Sequence, residues 1–171
     1  MLRRNGGWLM ALLDNQRYHR ATVTGLEPAY MLKYGTQRDI VHESLEGPWP
    51  FSPKEAFQLI HGDALGGLLA DWEGFYANAY KHLLPGGWVE VREHDLRFYP
   101  RDEKEMEGKW ETTRQWQELL EVAAERFGKP INMGAKQKQL MEKAGFTEIQ
   151  ETVFQVESFL AIARCSYKWK F

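Results

Sequence analysis

The feature that most constrains the fold lies mid-chain, where the spacing of apolar residues changes period twice. Residues 56–61 (Ala-Phe-Gln-Leu-Ile-His) form a compact apolar run of strand length, and Gly62, Gly66 and Gly67 follow as a loop. From Asp71 onward, Trp72, Phe75, Tyr76, Ala79, Tyr80 and Leu83 recur at three- and four-residue steps, the period of one helix face. Asp71 has the short acceptor side chain that suits an N-cap. Leu84-Pro85-Gly86-Gly87 is a turn, because proline presets its first corner and glycine accepts the positive φ of the second. Trp88 to Val91 resumes as a strand. Strand, helix, strand in this order predicts a parallel pair within a sheet covered on both faces.

The flanks extend that pattern. Residues 7–17 read as a helix, 21–26 as a short strand stopped by Glu27-Pro28, and Asp39 to His42 as another short strand. Pro48, Pro50 and Pro53 mark a loop, since proline donates nothing to a ladder. Residues 102–127 read as a long helix or helix pair with Trp116, Leu120, Ala123 and Phe127 on one stripe. Residues 136–144 read as a short helix with Gly145 in the left-handed position after it. Two strands, near 147–156 and 158–165, close the chain as a hairpin around Glu157-Ser158. The prediction is an α/β, Rossmann-like, mostly parallel sheet with one antiparallel closing strand, in a single domain over 1–171.

Bulk properties exclude several classes of function. Lysine plus arginine (22) nearly balances aspartate plus glutamate (24), so there is no electrostatic footprint for nucleic acid. No apolar run approaches the roughly 20 residues of a membrane span, and the Trp8–Leu13 stretch is short and lacks the small-residue cleavage site of a signal peptide. A single cysteine, Cys165, predicts a reducing, cytoplasmic setting. No His-x-x-x-His or cysteine cluster exists, so no metal is expected.

Four segments together resemble one family. They are Glu46-Gly-Pro-Trp-Pro-Phe51, Phe57-Gln-Leu-Ile-His61, Asp71-Trp72 and His82-Leu-Leu-Pro-Gly-Gly-Trp-Val-Glu-Val-Arg-Glu93. In this order and with these gaps they are similar to LaeA-like fungal methyltransferases of secondary metabolism, of class I (S-adenosylmethionine-dependent) type. Ala144-Gly145-Phe146 and the closing run Phe159–Arg164 fit the same fold, so the resemblance covers about residues 20–165. It implies a glycine-rich cofactor loop, of which Gly6-Gly7 is a remnant, and an acid ending strand two that holds the ribose, here Glu27. It also implies an adenine contact near Glu43-Ser44, where Ser44 stands in place of an acid. Gln58 replaces an aspartate of strand four. The few residues before Gly6-Gly7 do not supply a full first strand, so that strand is expected to be missing. Its neighbours would then pair directly, or a second copy in a homodimer would complete the sheet. Weak or absent S-adenosylmethionine binding follows from that expectation.

In an open α/β sheet, ligands bind beyond the carboxyl ends of the strands. Strand four ends at His61-Gly62-Asp63 and strand five near Glu93-His94-Asp95, so these groups share one rim. His61, Glu93 and His94 are the candidate catalytic groups, because a histidine beside a carboxylate moves protons near neutral pH. Alternation along the strand sends Glu93 and His94 to opposite faces, and His61 with Glu93 is the favoured pair. The expected ligand is a small metabolite. The expected role is a repurposed enzyme catalysing cyclisation, isomerisation or dehydration, with active methyl transfer or a non-catalytic partner role as alternatives.

Overall fold

A computed structural model describes residues 2–3, 25–26, 40–41, 45–52, 57–99, 110–156 and 162–170. Its strands are β1 (Leu2–Arg3), β2 (Gly25–Leu26), β3 (Ile40–Val41), β4 (Phe57–Asp63), β5 (Leu83–Asp95), β6 (Thr147–Val156) and β7 (Ile162–Lys170). Its helices are α1 (Trp72–Lys81), α2 (Trp110–Arg126) and α3 (Gln137–Ala144), the last entered through a 3₁₀ turn at Gly134–Lys136. The strands form one sheet in the order β3-β2-β1-β4-β5-β7-β6. Neighbours from β3 through β5 are all parallel, and β7 runs antiparallel to both β5 and β6. This is the predicted Rossmann-like sheet with a single antiparallel strand.

One expectation is corrected. The first strand is not missing: Leu2–Arg3 lies between β2 and β4, with Leu2 opposite Leu26 on one side and Gly62 on the other. Among the described residues, β1 meets its neighbours at their carboxyl ends, at Leu26 and at Gly62-Asp63. Direct pairing of β2 with β4, or closure by a second chain, is therefore not needed at this position. The predicted helix at 7–17 and the hairpin tip at 157–158 lie outside the described residues.

The β4–α1–β5 unit follows its sequence closely. Asp71 caps α1 by accepting the Gly74 N–H at 2.8 Å, and Trp72, Phe75, Tyr76 and Ala79 face inward as the helical period requires. They pack on Ile60, Val89 and Val91 of the sheet and on Met141 and Phe146 from α3 and the start of β6. Edge-on and tilted rings link Trp49, Phe75, Tyr76 and Phe146 at centroid spacings of 5.1–6.3 Å. The Leu84–Gly87 turn is absorbed into β5 as a bulge. The ladder steps from Phe57 to Leu59 on β4 but from Leu83 to Trp88 on β5, and Gly86 takes φ +78°. Gly145 ends α3 in the left-handed conformation as predicted, with φ +101°.

The long helix differs more. It is described only from Trp110, and none of its residues is buried. Trp116 and Phe127, predicted to lie on one stripe, are exposed, as are Leu119 and Val122. Trp49 and Trp72 are core residues, whereas Trp88 is only half-buried. Trp8 lies outside the described residues.

Candidate functional site

The sheet order places a switch point between β1 and β4. From β1 the chain moves outward to β2 and β3, and from β4 it moves the opposite way to β5. Connections leaving in opposite directions open a crevice at the carboxyl ends of the two central strands, the general ligand position of open α/β sheets. Arg3 and Asp63 are register partners at that crevice, and Leu26 ends the adjoining strand. Glu27, the expected ribose acid, follows Leu26 directly in the chain. Glu27 itself, with Gly6, Gly7 and Ser44, lies outside the described residues.

The strand ends carry two acid–base side-chain pairs on one face of the sheet. His61 and Glu90 are register partners, and His61 Nδ1 lies 3.0 Å from Glu90 Oε2. Asp63 and Arg92 are the next partners on that face, with Arg92 Nε donating to Asp63 Oδ1 at 2.6 Å. Asp63 holds the Arg92 guanidinium pKa above its ordinary value, through this hydrogen bond first and its charge second. His61 is nearly fully buried and Arg92 is partly open to solvent.

Glu93 points the other way. Its carboxylate accepts the N–H of Leu65 at 2.7 Å and of Gly66 at 3.0 Å, gripping the loop that leaves β4. A Cβ on Gly66 would stand 3.0 Å from Glu93 Oε2, so glycine allows this close approach. Burial pushes the Glu93 pKa up to about 7, aided by the charges of Asp63 and Asp95 and opposed by the two backbone donors. Asp95 makes a parallel, longer contact, accepting from Gly134 N at 3.3 Å.

Glu93 is thus set apart from the two candidate histidines. His61 and Glu93 project from opposite faces, and the partner of His61 is Glu90. The reason is alternation: Glu90 and Glu93 are three apart on one strand, so they cannot share a face. His94 is opposite to Glu93, as expected, on the His61 face and in register with Arg164 of β7. Glu90 and Arg92 were not singled out by sequence reasoning. The signal for them was the alternation Glu90-x-Arg92, but only the β4–β5 register reveals what they face. His82 is a buried structural histidine. It stacks on Trp49 at 5.4 Å, and its ring nitrogens approach the carbonyls of Asn78 (2.8 Å) and Phe51 (3.3 Å). No group of metal-ligating side chains occurs among the described residues. No helix among them is long and apolar enough to cross a membrane.

A parallel sheet of this order with its crevice at the β1/β4 switch point defines a class I methyltransferase-like protein. A family model described as a methyltransferase domain matches residues 4–151. The chain belongs to that methyltransferase-domain family. It is 31% identical over 160 residues to "Secondary metabolism regulator LAE1" of Cochliobolus heterostrophus, covering 88% of this chain and 49% of the relative. It is 26% identical over 116 residues to "Methyltransferase pytC" of Aspergillus terreus, covering 68% of this chain and 35% of the relative. The chain therefore spans about half the length of the first relative and a smaller part of the second. Among solved structures, a SAM-dependent methyltransferase of Thermotoga maritima described as a possible histamine N-methyltransferase superposes with a TM-score of 0.59. That match has 18% identity and covers 85% of this chain and 72% of the other.

Proposed function

We propose that this chain is an S-adenosylmethionine-binding, methyltransferase-like enzyme acting on a small molecule of the secondary-metabolite type. The observation that carries this reading is the pairing of Leu2–Arg3 between β2 and β4, because it keeps the crevice in which such a cofactor lies. The fit is one of topology and of donor chemistry. The carboxyl ends of β1, β2 and β4 meet at one place, and Glu27, the acid that would hold the ribose, is next after Leu26 in the chain. Gly6 and Gly7 would let the backbone approach the cofactor, and Ser44 would contact its adenine. The bound cofactor would supply an activated methyl group. The chain's part is to orient the acceptor toward that group and keep water out. A methyltransferase among the relatives supports this reading, as does the secondary-metabolism setting named for the other.

A second reading, a reaction without methyl transfer such as cyclisation, isomerisation or dehydration, is favoured by a specific observation. The rim carries a buried carboxyl with its pKa near 7 and a histidine paired to a carboxylate, both suited to proton transfer. Calorimetric titration of S-adenosylhomocysteine into the pure chain tests the main reading. A low-micromolar dissociation constant supports it, and no heat of binding up to millimolar ligand overturns it. Binding without methyl turnover on any acceptor moves the assignment to the second reading, or to a partner role of the kind a regulator's name suggests.

A further inference from the structure

The rim continues past β5 into a pocket that the cofactor crevice does not use. Residues 97–99 leave the carboxyl end of β5 and run beside α2, enclosing about 380 Å³ between them. That volume is at the small end of the roughly 300–1,000 Å³ typical of ligand pockets. Phe98, Tyr99 and Trp110 line it, and Trp116 backs Phe98 at a centroid distance of 6.0 Å. The wall is fastened by side chains: the Gln117 amide oxygen accepts the Phe98 N–H, and Asn132 Oδ1 accepts the Leu96 N–H at 2.6 Å.

Charge in the pocket is already matched. Arg97 Nε donates to Glu121 at 3.0 Å, and Arg114 donates to Glu118 and to Glu111, each at 2.7 Å. Two arginines, Arg97 and Arg114, face two glutamates, Glu118 and Glu121, so the lining has no net charge to favour an anionic or a cationic ligand. The aromatic faces, by contrast, have surface to bury, since Tyr99 is 58% exposed. A ligand presenting a flat ring gains both apolar burial and ring–ring contact there.

We propose that this pocket is the acceptor-substrate subsite and that it takes a flat, uncharged aromatic molecule. The inference rests on the reading above, in which the same rim of the sheet binds a cofactor, and it names the chemical class of the second ligand. Such a ligand would lie just beyond β5, beside the crevice of β1 and β4.

The test uses three probes of similar ring chemistry, titrated calorimetrically in the absence of S-adenosylhomocysteine. They are neutral 2-naphthol, anionic 2-naphthoate and cationic trimethyl(2-naphthyl)ammonium. 2-Naphthol should bind most tightly, and Tyr99→Ala and Trp110→Ala should each weaken it by about tenfold with thermal melting unchanged. Should Trp110→Ala fail to fold, Tyr99→Ala at its exposed position carries the comparison. Either charged probe binding as tightly as 2-naphthol, or full affinity in the variants, overturns the proposal. A separate S-adenosylhomocysteine titration on the same sample reads the cofactor assignment. Failure of one reading is therefore distinct from failure of the other.

Discussion

Glu93 is a buried carboxyl whose ionisation bears on the stability of this fold. Its folded pKa of about 7 lies above the ordinary 4.5, so the folded state holds its proton more tightly than the unfolded chain. The stability this confers is fully present below about pH 4.5 and is lost as pH rises through about 7. Glu93→Gln removes this dependence. Urea melts at several pH values should show the wild type losing about 3 kcal/mol relative to the variant across that window. A difference that stays flat with pH would contradict the buried, doubly bonded carboxyl. Packing gives a second prediction at this scale. Trp72, 3% exposed, should cost about 3–5 kcal/mol on replacement by alanine, and half-buried Trp88 about 2 kcal/mol. Equal shifts in thermal melting would show that the two sites are packed alike. The rim residues were legible in the sequence as a set, since His61, Glu93 and His94 do end adjacent strands. Their pairing was not legible. The partner of His61 depends on a register between parallel strands that no local pattern encodes, and the bulge at Leu84–Gly87 helps to set it.

At the scale of elements, those with strong local chemistry were readable and those without it were not. Helix α1 announced its cap, its inward stripe and its end in the residues themselves. So did the close of α3 at Gly145, where φ is +101° and the Tyr80 ring stands 3.2 Å from where a Cβ would be. Gly145→Ala should therefore destabilise the protein by about 1–2 kcal/mol in chemical denaturation, and a neutral effect would mean that the cap relaxes. Helix α2 shows the opposite case. Its apolar residues have helical spacing, but spacing does not say which side the body lies on. Leu119 and Phe127 are 69% and 77% exposed. Leu119→Glu and Phe127→Glu should each change stability by no more than about 0.5 kcal/mol. A large loss in either would show that this face is covered in solution.

At the scale of the whole molecule, sequence order alone predicted the class of fold, because helices between strands force parallel crossovers. What it missed was the centre of the sheet. Leu2–Arg3 is too short to register as a strand by composition or period, and only its pairing on both sides identifies it. That stub keeps the topological switch point between β1 and β4, and the cofactor proposal stands on it. Hydrogen–deuterium exchange with and without S-adenosylhomocysteine tests this most directly. The account predicts added protection at residues 2–3, 25–26 and 62–67, with none along the β6–β7 pair at 147–156 and 162–170. Unchanged exchange at the β1/β4 crevice under saturating ligand, or protection confined to the β6–β7 pair, would contradict it.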